Sequence, residues 1–109
     1  MTDKPLYMRW AEDERRGFRR AEFTHEVSLQ CAGREYILTA RDVSETGIGT
    51  GPAAGLEAQA EGCLECPGFP VACRCRVVYS AEGEGVGIEF LDLSEESRMV
   101  LKNFVDEAN

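Results

Sequence analysis

The stretch YILTARDVSETG, from Tyr36 to Gly47, reads as a β-strand that ends in a polar turn. Gly47 permits the backbone to turn tightly, or to be approached closely, at this point. In front of this strand, Val27, Leu29 and Cys31 alternate with polar residues, which predicts an earlier strand. The residues AGRE between the two segments form a plausible turn, so the two strands are predicted to make a hairpin.

Further short strand-like segments follow the turn. GIGTG is interpreted as a brief strand or bend, PAAG as a loop of small residues, and a third apolar stretch ends at Cys66. The PGFP turn then leads into VACRCRVVYS, and the AEGEG turn leads into the last strand, VGIEFL. Strands at such short spacing predict an antiparallel sheet or barrel rather than parallel β/α units.

The C-terminal segment has a helical pattern instead. Ser94 is a good N-cap. The negative charges of Glu95 and Glu96 in the first turn stabilise a helix, because they lie near the positive end of its dipole. Four apolar residues fall on one stripe of such a helix: Val100, Leu101, Phe104 and Val105. The sequence therefore predicts an amphipathic helix over about residues 94–107 that docks on the barrel.

Length and composition favour one small domain. With 109 residues, 43% of them apolar, the chain can bury one hydrophobic core, which we assign to residues 15–109. Residues 1–14 are predicted to form a flexible or short helical segment, in which Leu6 and Trp10 are four apart. No apolar run approaches the roughly 20 residues of a membrane span, and the N-terminus lacks the apolar core of a secretory signal. We expect a cytoplasmic location and no membrane insertion.

The charge and the scarcity of histidine argue against two further classes of protein. A net charge of −8 opposes binding to DNA or RNA polymers, which depends on an extended basic surface, and the sparse aromatics oppose an RNA-binding small barrel. The single histidine, His25, and the lack of an acid/base pair with a nucleophile argue against an enzyme. We expect no catalytic residues and no cofactor.

Positive charge is nevertheless concentrated at RRGFRR, Arg15 to Arg20. Arg16 and Arg20 are four apart, which puts both side chains on one side of either a strand or a helix. Guanidinium groups match phosphate oxygens and the O6/N7 edge of guanine, so this pair could clamp a small phosphorylated or guanine-bearing ligand. The alternative is a solvated basic turn that pairs with the acidic residues just before it.

A carboxylate and a hydroxyl lie at the end of the Tyr36–Val43 strand. Asp42 and Ser44 share one face by the alternation of a strand. A carboxylate accepts two parallel N–H bonds, as the Watson–Crick edge of guanine offers, and a hydroxyl can serve a phosphate or a base. The alternative is an Asx- or ST-turn that closes the strand.

Together these two segments resemble the signature of PilZ domains. Arg16-Gly-Phe-Arg-Arg20 matches the RxxxR motif, and Asp42-Val-Ser44-Glu-Thr-Gly47 matches the D/N-x-S-x-x-G motif. The resemblance continues through GVGIEFLDLSEESRMVLKNFV and covers about residues 14–105. It implies a six-stranded antiparallel β-barrel with a C-terminal helix, which binds cyclic di-GMP.

The resemblance also implies roles for individual residues. Arg16 and Arg20 would contact guanine and phosphate, Asp42 and Ser44 would hold the other guanine edge, and Gly47 would form the turn. An additional arginine directly before the motif is associated in this family with binding of an intercalated ligand dimer.

Arg15 occupies the position of that additional arginine. Arg15 and Arg19 form an overlapping R-x-x-x-R, but the register Arg16/Arg20 leads directly into the first strand, as the family pattern requires. The expected function is a receptor in which the ligand orders the N-terminal segment and so changes the surface presented to an unknown protein effector. A PilZ-like protein-interaction adaptor that has lost ligand binding is the alternative.

The five cysteines raise the further alternative of a thiol-based zinc or redox module. Their odd number fits reduced thiols. Cys63-x-x-Cys66 and Cys73-x-Cys75 have zinc-like counts, but residues three apart in a strand point to opposite faces. Free cysteines that are buried or half-buried are therefore the favoured interpretation, with a zinc site or a cross-strand redox pair such as Cys66–Cys73 as alternatives.

Overall fold

The computed structural model describes residues 20–69, 71–81 and 83–108. In these ranges the chain forms seven β-strands and one α-helix. In chain order they are β1 (Ala21–Glu22), β2 (Glu26–Cys31), β3 (Arg34–Val43), β4 (Gly47–Thr50), β5 (Glu61–Cys66), β6 (Val71–Ala81), β7 (Gly85–Phe90) and α1 (Glu95–Ala108). The predicted N-terminal segment, residues 1–14, and two predicted ligand contacts, Arg15 and Arg16, lie outside the described residues.

Six of the strands form a closed barrel. Their order is β3-β2-β5-β6-β7-β4, and β4 pairs back with β3. Every pairing is antiparallel. The predicted six-stranded antiparallel barrel with a C-terminal helix is therefore confirmed, and GIGTG supplies the strand that closes it.

The seventh strand, β1, was not predicted as a separate element. It pairs with Asp42 and Val43 at the C-terminal end of β3, whereas β2 pairs with Arg34–Thr39 of the same strand. Between them the Phe23 N–H donates to the Arg41 carbonyl at 2.9 Å. β1 and β2 thus lie end to end along one edge of β3, and β4 occupies its other edge.

Helix α1 begins and packs as its sequence pattern indicates. Ser94 caps it, since Ser94 Oγ accepts from the Ser97 N–H at 3.1 Å and the Ser94 carbonyl from the Arg98 N–H at 2.9 Å. Leu101 and Val105 are buried against the barrel. The other two members of the predicted stripe, Val100 and Phe104, are half-buried. No helix in the described part of the chain is long and apolar enough to cross a membrane.

Three phenylalanines join β1, the β5–β6 turn and α1 at one end of the barrel. The rings of Phe23 and Phe69 are 4.9 Å apart, and Phe104 lies edge-on to both, at 5.5 and 5.6 Å. Edge-to-face contacts at these distances are favourable beyond the burial of area. His25 is exposed and stacks on Phe23 at 4.3 Å. The short strand β1 is therefore held by packing against the helix as well as by its pairing with β3.

Candidate functional site

The fold brings Arg20 of the RxxxR motif into contact with Asp42 of the D-x-S-x-x-G motif. Arg20 directly precedes β1, and Asp42 lies near the end of β3, opposite Glu22. Arg20 Nε and Nη2 both donate to Asp42 Oδ1, at 3.1 and 2.5 Å. The Arg20 side chain is 8% exposed and that of Asp42 is 19% exposed, so the ion pair lies at the edge of solvent. Residues that are 22 positions apart in the sequence form one charged pair on the barrel surface.

An irregularity in β3 orients the Asp42 carboxylate. Ala40 lies opposite Thr50 of β4, but Asp42, two residues later, lies opposite Gly49, the next residue of β4. Arg41 is therefore the extra residue of a β-bulge. Such bulges re-aim side chains and are frequent beside functional sites.

The bulge changes which side chain faces the barrel interior. Strict alternation would place Asp42 on the inner face with Ala40 and would turn Val43 outwards. Instead, Val43 is 1% exposed within the core, and the Asp42 carboxylate faces Arg20 at the surface. Without the bulge, a carboxylate would be directed into an apolar interior, which is strongly unfavourable.

The turn after β3 is organised by the Ser44 hydroxyl. Ser44 is fully buried, and its Oγ accepts from the N–H groups of Thr46 and Gly47 at 3.2 and 3.3 Å. The Ser44 N–H donates to the Gly47 carbonyl at 2.9 Å. This is the ST-turn that the sequence left open as an alternative, so Ser44 shapes the turn next to Asp42. Its direct contact with a ligand stays a prediction.

Gly47 begins β4, and it is not among the described glycines with positive φ. The expected tight turn therefore depends on Ser44 rather than on a left-handed glycine. Gly47 lies opposite Glu89 of β7, whose carboxylate accepts from Arg76 Nη2 at 2.7 Å. The hydrogen bond to this carboxylate, together with its negative charge, raises the pKa of Arg76 above its ordinary value. The charge of Glu89 beside the turn is thus offset by a cation.

A glycine-lined strip runs from Asp42 across the outer face of the barrel. Asp42 lies opposite Gly49, Gly49 opposite Gly87, and Gly87 opposite Tyr79. The Tyr79 ring packs so closely over Gly87 that a Cβ there would lie 2.2 Å from Tyr79 Cε1. Two strands, β4 and β7, therefore lie between the carboxylate and the tyrosine. Sequence reasoning did not predict the packing of Tyr79 on Gly87, although the repeated glycines of GIGTG and GVG indicate close approach of another group.

Comparison with known proteins identifies the family and the fold. The profile of the PilZ domain matches residues 14–107. The chain belongs to the PilZ family. The solved structure of the Bacillus subtilis inhibitor of motility, MotI/DgrA, has a TM-score of 0.70 to this PilZ domain at 16% identity. The alignment covers 85% of this chain and 50% of that one, so the PilZ domain spans half of its structural neighbour, and the likeness concerns the fold. A search of curated proteins finds no matching relative.

The cysteines of this PilZ domain are arranged as five free thiols. CLEC is continuous strand in β5, with Cys63 exposed and Cys66 buried on opposite faces. Cys73 lies opposite Leu64, diagonal to Cys66 rather than paired with it. Within the described ranges no group of three or more histidine, cysteine or acidic residues is placed to hold a metal ion.

Burial raises the pKa of two of these thiols well above the ordinary value of 9.0. Desolvation, with smaller contributions from Asp92 and Cys63, raises the pKa of Cys73 to about 11. Desolvation, followed by the neighbouring thiols, raises the pKa of Cys75 to about 12. A thiol that keeps its proton at neutral pH is a poor nucleophile. These two cysteines are suited to packing rather than to redox chemistry.

The raised thiol pKa values predict that the free energy of unfolding falls in alkali. Above pH 9 the unfolded chain loses thiol protons that the folded chain retains, so stability decreases as pH rises towards about 12. Each group contributes at most about 1.4 kcal/mol per pH unit. Denaturant unfolding between about pH 8 and pH 11 measures this slope, and Cys75→Ala is expected to reduce it. Cys63→Ala, at the exposed thiol, is the control, and equal slopes in all three proteins would contradict the prediction.

Proposed function

We propose that this PilZ domain is a non-enzymatic receptor for cyclic di-GMP. The observation that carries the proposal is the contact of Arg20 with Asp42 at the bulge of β3. A forked donor and a carboxylate acceptor stand side by side there, next to the glycines of β4 and β7. These are the groups that recognise phosphate and the two edges of guanine.

The chemistry of the ligand fits this arrangement. Cyclic di-GMP carries two phosphate charges and two guanines. The Asp42 carboxylate can accept from guanine N1–H and from the 2-amino group, while Arg20 can donate to guanine O6 and N7 or to a phosphate. Arg15 and Arg16 are proposed to add further cationic contacts. Ser44 and Gly47 are proposed to line the site and to fix the turn that presents Asp42.

The acidity of the protein does not oppose this function. The net charge of −8 repels a dianion at long range, but physiological salt screens charges beyond about 8 Å. Arginines in direct contact with the ligand are hardly screened. Local attraction at the site therefore outweighs repulsion by distant carboxylates.

Regulation would follow from ligand-dependent ordering. We propose that cyclic di-GMP binds more tightly to a state in which Arg15–Arg20 and the residues before them are ordered over the site. Such a difference in affinity is required for any ligand to shift a conformational equilibrium. The changed surface would then be read by a protein effector, with motility or exopolysaccharide output as the family's characteristic outcomes.

Calorimetric titration tests the proposal directly. We expect cyclic di-GMP to bind with a dissociation constant in the micromolar range or below, and we expect mass spectrometry to recover the ligand unchanged. Cyclic di-AMP is the matched control, because adenine offers Asp42 no pair of adjacent donors. A stoichiometry of two ligands per chain would support the role of Arg15 in holding a dimer. The absence of binding at micromolar concentration would refute the proposal.

The second candidate function is a PilZ-like adaptor that binds only proteins. One observation favours it: two N–H donors of Arg20 converge on the same carboxylate oxygen of Asp42. A ligand would have to share or replace this pair. The same titration separates the two candidates, because the adaptor would release no heat with either dinucleotide.

A further inference from the structure

Arg41, the extra residue of the β3 bulge, makes a contact that spans the barrel surface. Its side chain is exposed, and Nη1 donates to the carbonyl of Glu84 at 2.6 Å. Glu84 lies in the turn between β6 and β7. The guanidinium therefore extends from the bulge past the end of β4 and ties two separate parts of the fold together.

The path of the Arg41 side chain is lined by glycines. A Cβ at Gly85 would lie 3.1 Å from Arg41 Nη1, and a Cβ at Gly51 would lie 3.8 Å from Nη2. The Cβ at Gly85 would also meet the Thr50 carbonyl at 2.5 Å. Gly85 thus leaves room for the guanidinium and for the strand beside it. Larger residues at this position would push the arginine off its acceptor.

The main chain of Arg41 is anchored as well. Its carbonyl accepts the Phe23 N–H at 2.9 Å, while its side chain holds Glu84 on the far side of β4. Two anchors on one residue restrict the rotation of its backbone. Because Asp42 is the next residue, that rotation sets the direction of the carboxylate.

We propose that Arg41 is a positioning residue for guanine recognition. By restricting the backbone of the bulge, it orients the Asp42 carboxylate to accept from the N–H donors of the guanine edge. The inference rests on the proposed function and adds a specificity determinant to it. A carboxylate that accepts two parallel N–H bonds needs a closely defined orientation, whereas one that accepts a single bond tolerates rotation. Arg41 therefore affects selectivity for guanine more than it affects affinity for the sugar and phosphates.

Hypoxanthine is the probe that separates these effects, because it keeps the N1–H of guanine but lacks the 2-amino group. Titrations of cyclic di-GMP and cyclic di-IMP are compared for wild type, Arg41→Ala and Arg41→Lys. In Arg41→Ala we expect cyclic di-GMP to bind about 10-fold more weakly, the lower end of the losses seen when a residue that orients a metal ligand is removed. Cyclic di-IMP is expected to lose much less, so the ratio of the two affinities falls. Arg41→Lys keeps the charge and one donor, and should restore part of that ratio.

Arg34→Ala is the matched control, since it removes the same charge from the other end of β3, where Arg34 stacks on Tyr36. It reports the long-range effect of one positive charge and should leave the ratio unchanged. Equal losses for both ligands in Arg41→Ala, or no loss, would overturn the inference and leave the proposed function standing.

A structural readout keeps the inference testable if wild type binds neither ligand. In a crystal structure of Arg41→Ala we expect Asp42 to be turned away from Arg20. An unchanged bond between Arg20 and Asp42 Oδ1 in that variant would overturn the positioning role, whatever the binding result.

Discussion

Replacing Arg20 by alanine is expected to weaken cyclic di-GMP binding by roughly 10–150-fold in a calorimetric titration. The estimate corresponds to one charge-assisted hydrogen bond, about 1.5–3 kcal/mol. Arg20 is already immobilised against Asp42, with its side chain 8% exposed, so little additional entropy is lost when the ligand binds. A preorganised donor of this kind contributes more than a mobile surface arginine would.

Asp42→Asn is expected to have an effect of the same size, for a different reason. The asparagine amide has the shape of the carboxylate, but its NH₂ group would face the donors of the guanine edge. It would also weaken the contact that holds Arg20 in place. The double variant should therefore lose less than the sum of the two single losses, because each residue holds the other in place for the ligand.

Charge-matched controls separate these contacts from general electrostatics. Arg34→Ala removes one positive charge, as Arg20→Ala does, and Glu35→Gln removes one negative charge, as Asp42→Asn does. Both control residues are exposed near the start of β3. Both controls should bind cyclic di-GMP almost as wild type does. If Arg20→Ala bound equally well, the arginine would be a structural partner of Asp42 only. Tighter binding by Asp42→Asn would mean that the ion pair competes with the ligand.

The motif residues could be identified from sequence because each motif is short and local. Spacing alone placed Arg16 and Arg20 on one side of the chain, and the resemblance to PilZ domains joined them to Asp42. The contact between Arg20 and Asp42 depends on β1, whose two residues are too few to give a period of alternation. The sequence therefore predicts that Arg20 and Asp42 belong to one site, but it does not predict that they contact each other.

The bulge could not be predicted for a related reason. The segment around Arg41 reads as ordinary alternation, and the extra residue becomes visible only through its partners on β4. Ser44 shows the converse case, since the same sequence fits its observed role in closing the turn and its predicted role as a ligand contact. The opposite faces of Cys63 and Cys66 followed correctly from strand geometry, but the expectation that the cysteines are buried or half-buried was wrong for Cys63, which is exposed.

Phe23→Ala is expected to lower the free energy of unfolding by about 3–5 kcal/mol, the usual cost of truncating a buried phenylalanine. Phe23 is 3% exposed and contacts both Phe69 and Phe104, so its removal leaves a cavity where strand, turn and helix meet. Urea unfolding followed by circular dichroism measures the loss. Ile37→Ala, at a residue that is 55% exposed, is the surface control and should change stability by well under 1 kcal/mol.

The same substitution should also reach the ligand site, because Phe23 is the residue after β1 and its N–H bonds to the bulge at Arg41. Loss of the ring frees a strand of only two residues, and Arg20 directly precedes that strand. We therefore expect Phe23→Ala to weaken cyclic di-GMP binding even at temperatures where the protein is fully folded. Phe23→Leu retains most of the buried volume and should recover most of the stability. If Phe23→Ala lost stability but bound the ligand as wild type does, the aromatic cluster would support the barrel without holding the site.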